Sequence, residues 1–144
     1  MRITVTIPAG LTDRESVEVA RGFLKGVVAV NRMLIRSGKL KPMYRSGVRY
    51  RREPDGEESF VDALTTQRRG FGDCAHLAAW RVAELQEALA AAIRNGNVKN
   101  TSKLRWPSLR LYMRPASRSV HVQVRHSDGR IEDPSRLLGM GKAE

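Results

Sequence analysis

The stretch "RRGFGDCAHLAAWRVAELQ", residues 68–86, holds the only cysteine of the chain, Cys74, directly after Gly-Phe-Gly-Asp. Asp73 suits a helix N-cap, because its carboxylate can accept from the unpaired N–H groups of a first turn. Ala78, Val82, Leu85, Leu89 and Ala92 then recur at helical spacing, and "RNGN" stops the pattern near Asn95-Gly96. The pattern predicts a helix from Cys74 to about residue 94. A helix N-terminus carries partial positive charge, which favours a thiolate and predicts a lowered thiol pKa. A helical cysteine also serves as a small buried apolar residue, so Cys74 alone decides nothing.

Downstream, "LRLYMR" and "VHVQVR" alternate as strands do, and Ser127-Asp128-Gly129 predicts a hairpin into "RIED". Upstream, "RITVTI" alternates as a half-buried strand that Pro8 ends. Thr12 and Glu15 form a capping box, opening a helix that carries Val17, Ala20, Leu24, Val27, Asn31, Leu34 and Ile35 to about Ser37-Gly38. Gly22 and Gly26 on it either admit a closely packed element or weaken the helix. Residues 39–56 read as an extended, turn-punctuated segment, and residues 57–66 as a short helix with Phe60, Val61 and Leu64 inward. Trp80 and Trp106 read as packing residues. The order strand, helices, antiparallel sheet is α+β, with the cysteine-bearing helix packed on the sheet.

At 144 residues the chain suits a single domain, 1–144, with a core of its own. One cysteine allows no internal disulfide, and the first residues lack the layout of a secretion signal. The apolar runs are too short for a membrane span, so the expectation is a protein folded in a cytoplasm, away from membranes. The formal net charge is +11, divided as +5 over residues 1–43, zero over 44–94 and +6 over 95–144. Two basic ends around a neutral centre favour an acidic partner: nucleic acid, an acidic protein surface or an anionic polymer. They also suit a plainly soluble basic surface. No nucleic-acid motif accompanies the charge.

Cys74 opening a helix, His121 on a strand and Asp133 ending the next strand make a thiol–imidazole–carboxylate set. The imidazole can take the thiol proton and later protonate a leaving group. The carboxylate can fix the tautomer of the ring. Strand parity places Val120, Val122 and Val124 on one face and His121 on the other, toward a polar cleft if the valines face the core. His76 lies about 200° around the helix from Cys74, and His126 on the opposite strand face from His121, so neither joins this set. The chemistry predicts no metal, since zinc sites want clustered ligands.

"GFGDCAHLAAWRVAEL" with "HVQVRHSDGRIEDPS" resembles the transglutaminase-like branch of the papain-like cysteine-protease superfamily, over roughly residues 69–138. The longer pattern, from "YRSGVRYRREP" to "DPSRLLGM", is similar to small proteins of tailed bacteriophages. The resemblance implies a papain-like/transglutaminase-like core, with Cys74 as nucleophile, His121 as general base and acid, and Asp133 as orienting acid. It implies an oxyanion hole from the Cys74 backbone N–H, with Gln67 in the neighbourhood of the family's glutamine. No cofactor is implied. The activity implied is thiol hydrolysis of amide bonds in a protein or peptide, with transfer as a lesser variant. The alternative is a non-catalytic virion or assembly component that docks virion proteins, made in the bacterial host cytoplasm and incorporated in a virion.

Overall fold

The computed structural model describes all residues except 6–8, 54–57, 99–102, 118 and 142–144. In chain order the elements are β1 (Arg2–Val5), α1 (Asp13–Arg36), a 3-10 turn (Met43–Arg45), β2 (Arg49–Tyr50), β3 (Glu58–Val61) and α2 (Ala63–Arg69). Then come β4 (Phe71–Gly72), α3 (Cys74–Arg94), β5 (Ser108–Met113), β6 (Val120–Arg125), β7 (Ile131–Glu132) and α4 (Pro134–Leu137). The architecture is mixed α and β, with small sheets.

Both long helices start where local chemistry says. Thr12 and Glu15 close the capping box of α1, and the Asp73 carboxylate accepts from the Ala75 and His76 N–H groups at 2.9 and 3.1 Å. α1 turns Leu24, Val27, Val28 and Asn31 inward against α3. Both helices lie on the inner face of the antiparallel sheet β5–β6–β7, where Leu111, Val122 and Val124 are buried. Burying each such side chain stabilises the fold by roughly 1.5–3 kcal/mol. Gly22 and Gly26 face open space, with no atom within 4 Å of an added Cβ, so they admit no packed element.

The predicted helix over residues 57–66 is corrected. Residues 58–61 belong to β3, which pairs antiparallel with β1 (Ile3 opposite Phe60), and the helix begins only at Ala63. Asp62 ends the strand and caps α2, accepting from Thr65 N–H at 2.8 Å. The buried Asn31 carbonyl accepts from Ala63 N–H at 2.7 Å and ties α2 to α1. Glu57 lies outside the described residues. The predicted end of the first strand at Thr6–Pro8 lies outside them too.

β2 and β4 form a short parallel pair that the sequence reading did not foresee. It sets the approach to Cys74, since Arg51 N–H donates to Gly72 carbonyl at 2.9 Å. A second core fills the space under these strands: Met43, Val48, Ala63, Leu77 and Trp80, the last with no exposed surface. Trp106 is different. It is 44% exposed, with the Arg32 guanidinium 5.2 Å above its ring, so the expected packing role belongs to Trp80 alone.

Candidate functional site

Cys74 is the first residue of α3, and its sulfur lies beside the first half of β6. The Sγ–H donates to Val120 carbonyl at 3.8 Å, and the Val122 backbone N–H lies close enough to favour the thiolate. These two groups flank His121, and on an extended strand they point to the same edge. The partner strand β7 pairs only with Val124 and Arg125, so the thiol occupies the edge of β6 that β7 leaves open.

His121 is the second residue of β6, opposite Tyr112, whose ring meets the imidazole edge-on at 5.5 Å. As the parity argument required, the valines face the core. His121 does not face an open cleft, however: it is only 1% exposed, enclosed by side chains of β5 and the Asp133 turn. Its Nε2 lies 2.8 Å from Asp133 Oδ2, and its Nδ1 lies 2.9 Å from Arg114 Nη2. The guanidinium can only donate, which assigns Nδ1 as acceptor and Nε2–H as donor to the carboxylate. The ring is thus a neutral imidazole with both nitrogens taken. Burial holds its pKa below the ordinary histidine value, and the Arg114 and Arg136 charges act in the same sense.

Asp133 is shared between two tasks. Oδ2 accepts from His121 and from Gln123 Nε2 at 3.1 Å, while Oδ1 caps α4 by accepting from Arg136 N–H at 3.3 Å. Burial opposes its charge, yet these donors together hold its pKa below the usual carboxylate value.

The sign of the thiol shift reverses the expectation. Burial, with the Asp73 carboxylate next, pushes the Cys74 pKa up to about 12. The Val122 N–H and the Arg114 charge pull the other way without prevailing. Asp73 is occupied as the helix cap, and its carboxylate still lies beside the sulfur. The helix N-terminus contributes a fraction of a charge, which is less than desolvation removes.

Gln67 does not join this group. Its amide carbonyl accepts from Lys41 N–H at 2.7 Å and its Nε2 donates to Lys39 carbonyl at 3.3 Å, which ties α2 to the loop after α1. The Cys74 backbone N–H stays outside the Asp73 cap, which takes the next two.

The geometry brings His121 and Asp133 into direct contact and sets Cys74 against the backbone on either side of His121. Among the described contacts, none joins the Cys74 sulfur to the His121 ring. Two neighbours escaped the sequence reading: Arg114 and Tyr50. Burial raises the Tyr50 pKa, and the Cys74 and Asp73 charges add to it. Parity could have found Arg114, which sits one alternation beyond Tyr112 and so shares the face of His121.

No family model, curated protein or solved structure matches this chain.

His76 is buried and belongs to a separate cluster. Its Nε2 donates to Ser59 carbonyl at 2.6 Å, and its Nδ1 accepts from Arg69 Nη2 at 3.0 Å. Ligand-type atoms of Glu53, Asp73 and His76 approach within 4.8 Å of one another. Arg69 already lies among them, 3.3 Å from Glu53, and its fixed positive charge opposes a cation there. His126 bonds Glu132 at 2.8 Å, and Glu132 also accepts from Arg81 Nε at 2.8 Å, fastening β7 to α3.

Proposed function

We propose that this chain is a non-catalytic docking component of a tailed-bacteriophage assembly, built on a papain-like/transglutaminase-like core. The observation that carries the reading is the pair of bonds on His121. A general base needs a free lone pair facing the thiol, and here Arg114 holds Nδ1 while Asp133 holds Nε2. The raised thiol pKa points the same way, because a neutral thiol donating to a carbonyl is a poor nucleophile. Asp133, capping α4 while it holds the ring, acts as a structural joint. The phage placement rests on the resemblance of the sequence pattern. Its partners are then virion proteins, met first in the host cytoplasm. No helix among the described residues is long and apolar enough to cross a membrane.

A second reading, a thiol hydrolase acting on amide bonds, is favoured by two observations. The 2.8 Å His121–Asp133 bond and the position of Cys74 at a helix start are the parts such an enzyme needs. It requires Arg114 to leave Nδ1 and the ring to reach the sulfur. The two readings separate with p-nitrophenyl acetate, an activated ester that acylates competent thiols. We expect no burst of p-nitrophenolate from the native protein and none from Arg114→Ala. A stoichiometric burst from the wild type, lost in Cys74→Ala and His121→Ala, overturns the docking reading. A burst appearing only in Arg114→Ala establishes the hydrolase reading with Arg114 as its block.

A further inference from the structure

A cavity of about 710 Å³ lies between α1, α3 and the start of the β5–β6 hairpin. It borders none of Cys74, His121 and Asp133. Its lining includes six consecutive residues, Trp106 to Leu111, of which Ser108 to Leu111 belong to β5. Successive strand residues point to opposite faces, so one cavity can touch all of them only by running along the edge of the strand. β5 is the outer strand of the sheet, with β6 on one side and no described strand on the other. Such an edge presents N–H and C=O groups ready to pair with an added strand.

The chemistry around that edge is one-sided. Arg21 and Lys25 rise from one face of α1, four residues apart, and Arg125 stands on β6 opposite Ser108. Among the described residues neither the Lys25 nor the Arg125 side chain has a partner, and Arg21 meets only an exposed Glu18 at 3.5 Å. The described lining contains no carboxylate. Val28, Val82 and Leu111, all buried, form an apolar floor beneath. Gln86 donates to Pro107 carbonyl at 2.8 Å and fixes the entry to β5. Proline therefore precedes the strand and does not interrupt its edge.

We propose that this edge of β5 docks an extended acidic segment of a partner protein, which adds to the sheet as a further strand. Backbone pairing supplies affinity, side chains on the inner face of the segment reach the apolar floor with Arg21 and Lys25 beside it, and carboxylates on the outer face meet Arg125. A second copy of this chain is disfavoured at the same place, because both copies carry a net charge of +11. The proposal gives the docking reading its partner chemistry and rests on that reading. A p-nitrophenyl acetate burst would sink the docking reading and leave peptide binding at this separate edge still measurable.

The test uses the full chain and a fluorescein-labelled peptide of alternating glutamate and valine, six residues long to match β5. Fluorescence anisotropy should show saturable binding that weakens as salt rises. Lys25→Glu combined with Arg125→Glu should weaken it at least about tenfold, the scale of lost charge complementarity at an interface. Methylating the alternate peptide nitrogens that face β5 should abolish binding, and Cys74→Ala should leave it unchanged. Absence of binding at millimolar peptide overturns the proposal. So does equal binding by the N-methylated peptide, or indifference to the charge reversals. Tighter, competing binding by oligothymidylate would overturn it in favour of a nucleic-acid surface.

Discussion

Replacing Asp133 by alanine should damage the fold as a whole, because one carboxylate serves two elements. Oδ1 caps α4, and losing a cap costs about 1 kcal/mol. Oδ2 receives the His121 Nε2–H, and His121 is 1% exposed, so the orphaned donor cannot turn to water. Leaving a buried donor unsatisfied costs about 1–3 kcal/mol. Gln123 is only partly buried and can recover its bond from solvent, so it adds little. The expected total is about 2–4 kcal/mol, which at this chain length lowers the melting temperature by roughly 10 °C. Asp133→Asn keeps an oxygen for the cap and should lose about half as much. Urea denaturation followed by far-ultraviolet circular dichroism reads both variants against the wild type. A loss below about 0.5 kcal/mol in Asp133→Ala, within the range of a neutral surface change, would refute the structural role assigned to this residue.

Gly72→Ala should destabilise by about 1–3 kcal/mol in the same assay, because the added Cβ would lie 2.9 Å from Thr66 Cγ2 and 3.1 Å from His76 Cβ. Stability should also fall in acid in a way that His121 explains. Its folded pKa is lowered, so its contribution is complete above the unfolded value of about 6.5 and is lost as pH falls through the folded one. Denaturation midpoints followed downward from neutral pH should show this limb, and His121→Gln should flatten it.

Much of this structure was legible because cap chemistry is local. Thr12 with Glu15, and Asp73 before Cys74, placed both long helices without tertiary information. The Asp128-Gly129 turn likewise placed β6 beside β7 and brought Asp133 to His121. Residues 58–61 misled for the opposite reason. Phe60 and Val61 suit a helix face or a strand equally, and the choice was made by pairing with β1, far away in sequence. The α2 cap, Asp62, was the local sign that the helix starts later. In the candidate site, residue identities and order were readable, but burial was not. Whether His121 met a cleft or an enclosure depended on Tyr112 and Arg114 closing over it from the neighbouring strand. The Cys74 shift changed sign for the same reason: the helix end is written in the sequence, while desolvation arises only from packing.

The most direct test of a non-catalytic Cys74 is its alkylation by iodoacetamide at mildly acidic pH, followed by intact mass in the native protein. With the pKa pushed up to about 12 and the sulfur bonded to the Val120 carbonyl, we expect no adduct until denaturant unfolds the chain. His121→Ala should not alter that result. Rapid native labelling that disappears in His121→Ala would show an ion pair between thiolate and imidazolium, and would contradict the assignment of Cys74 to packing.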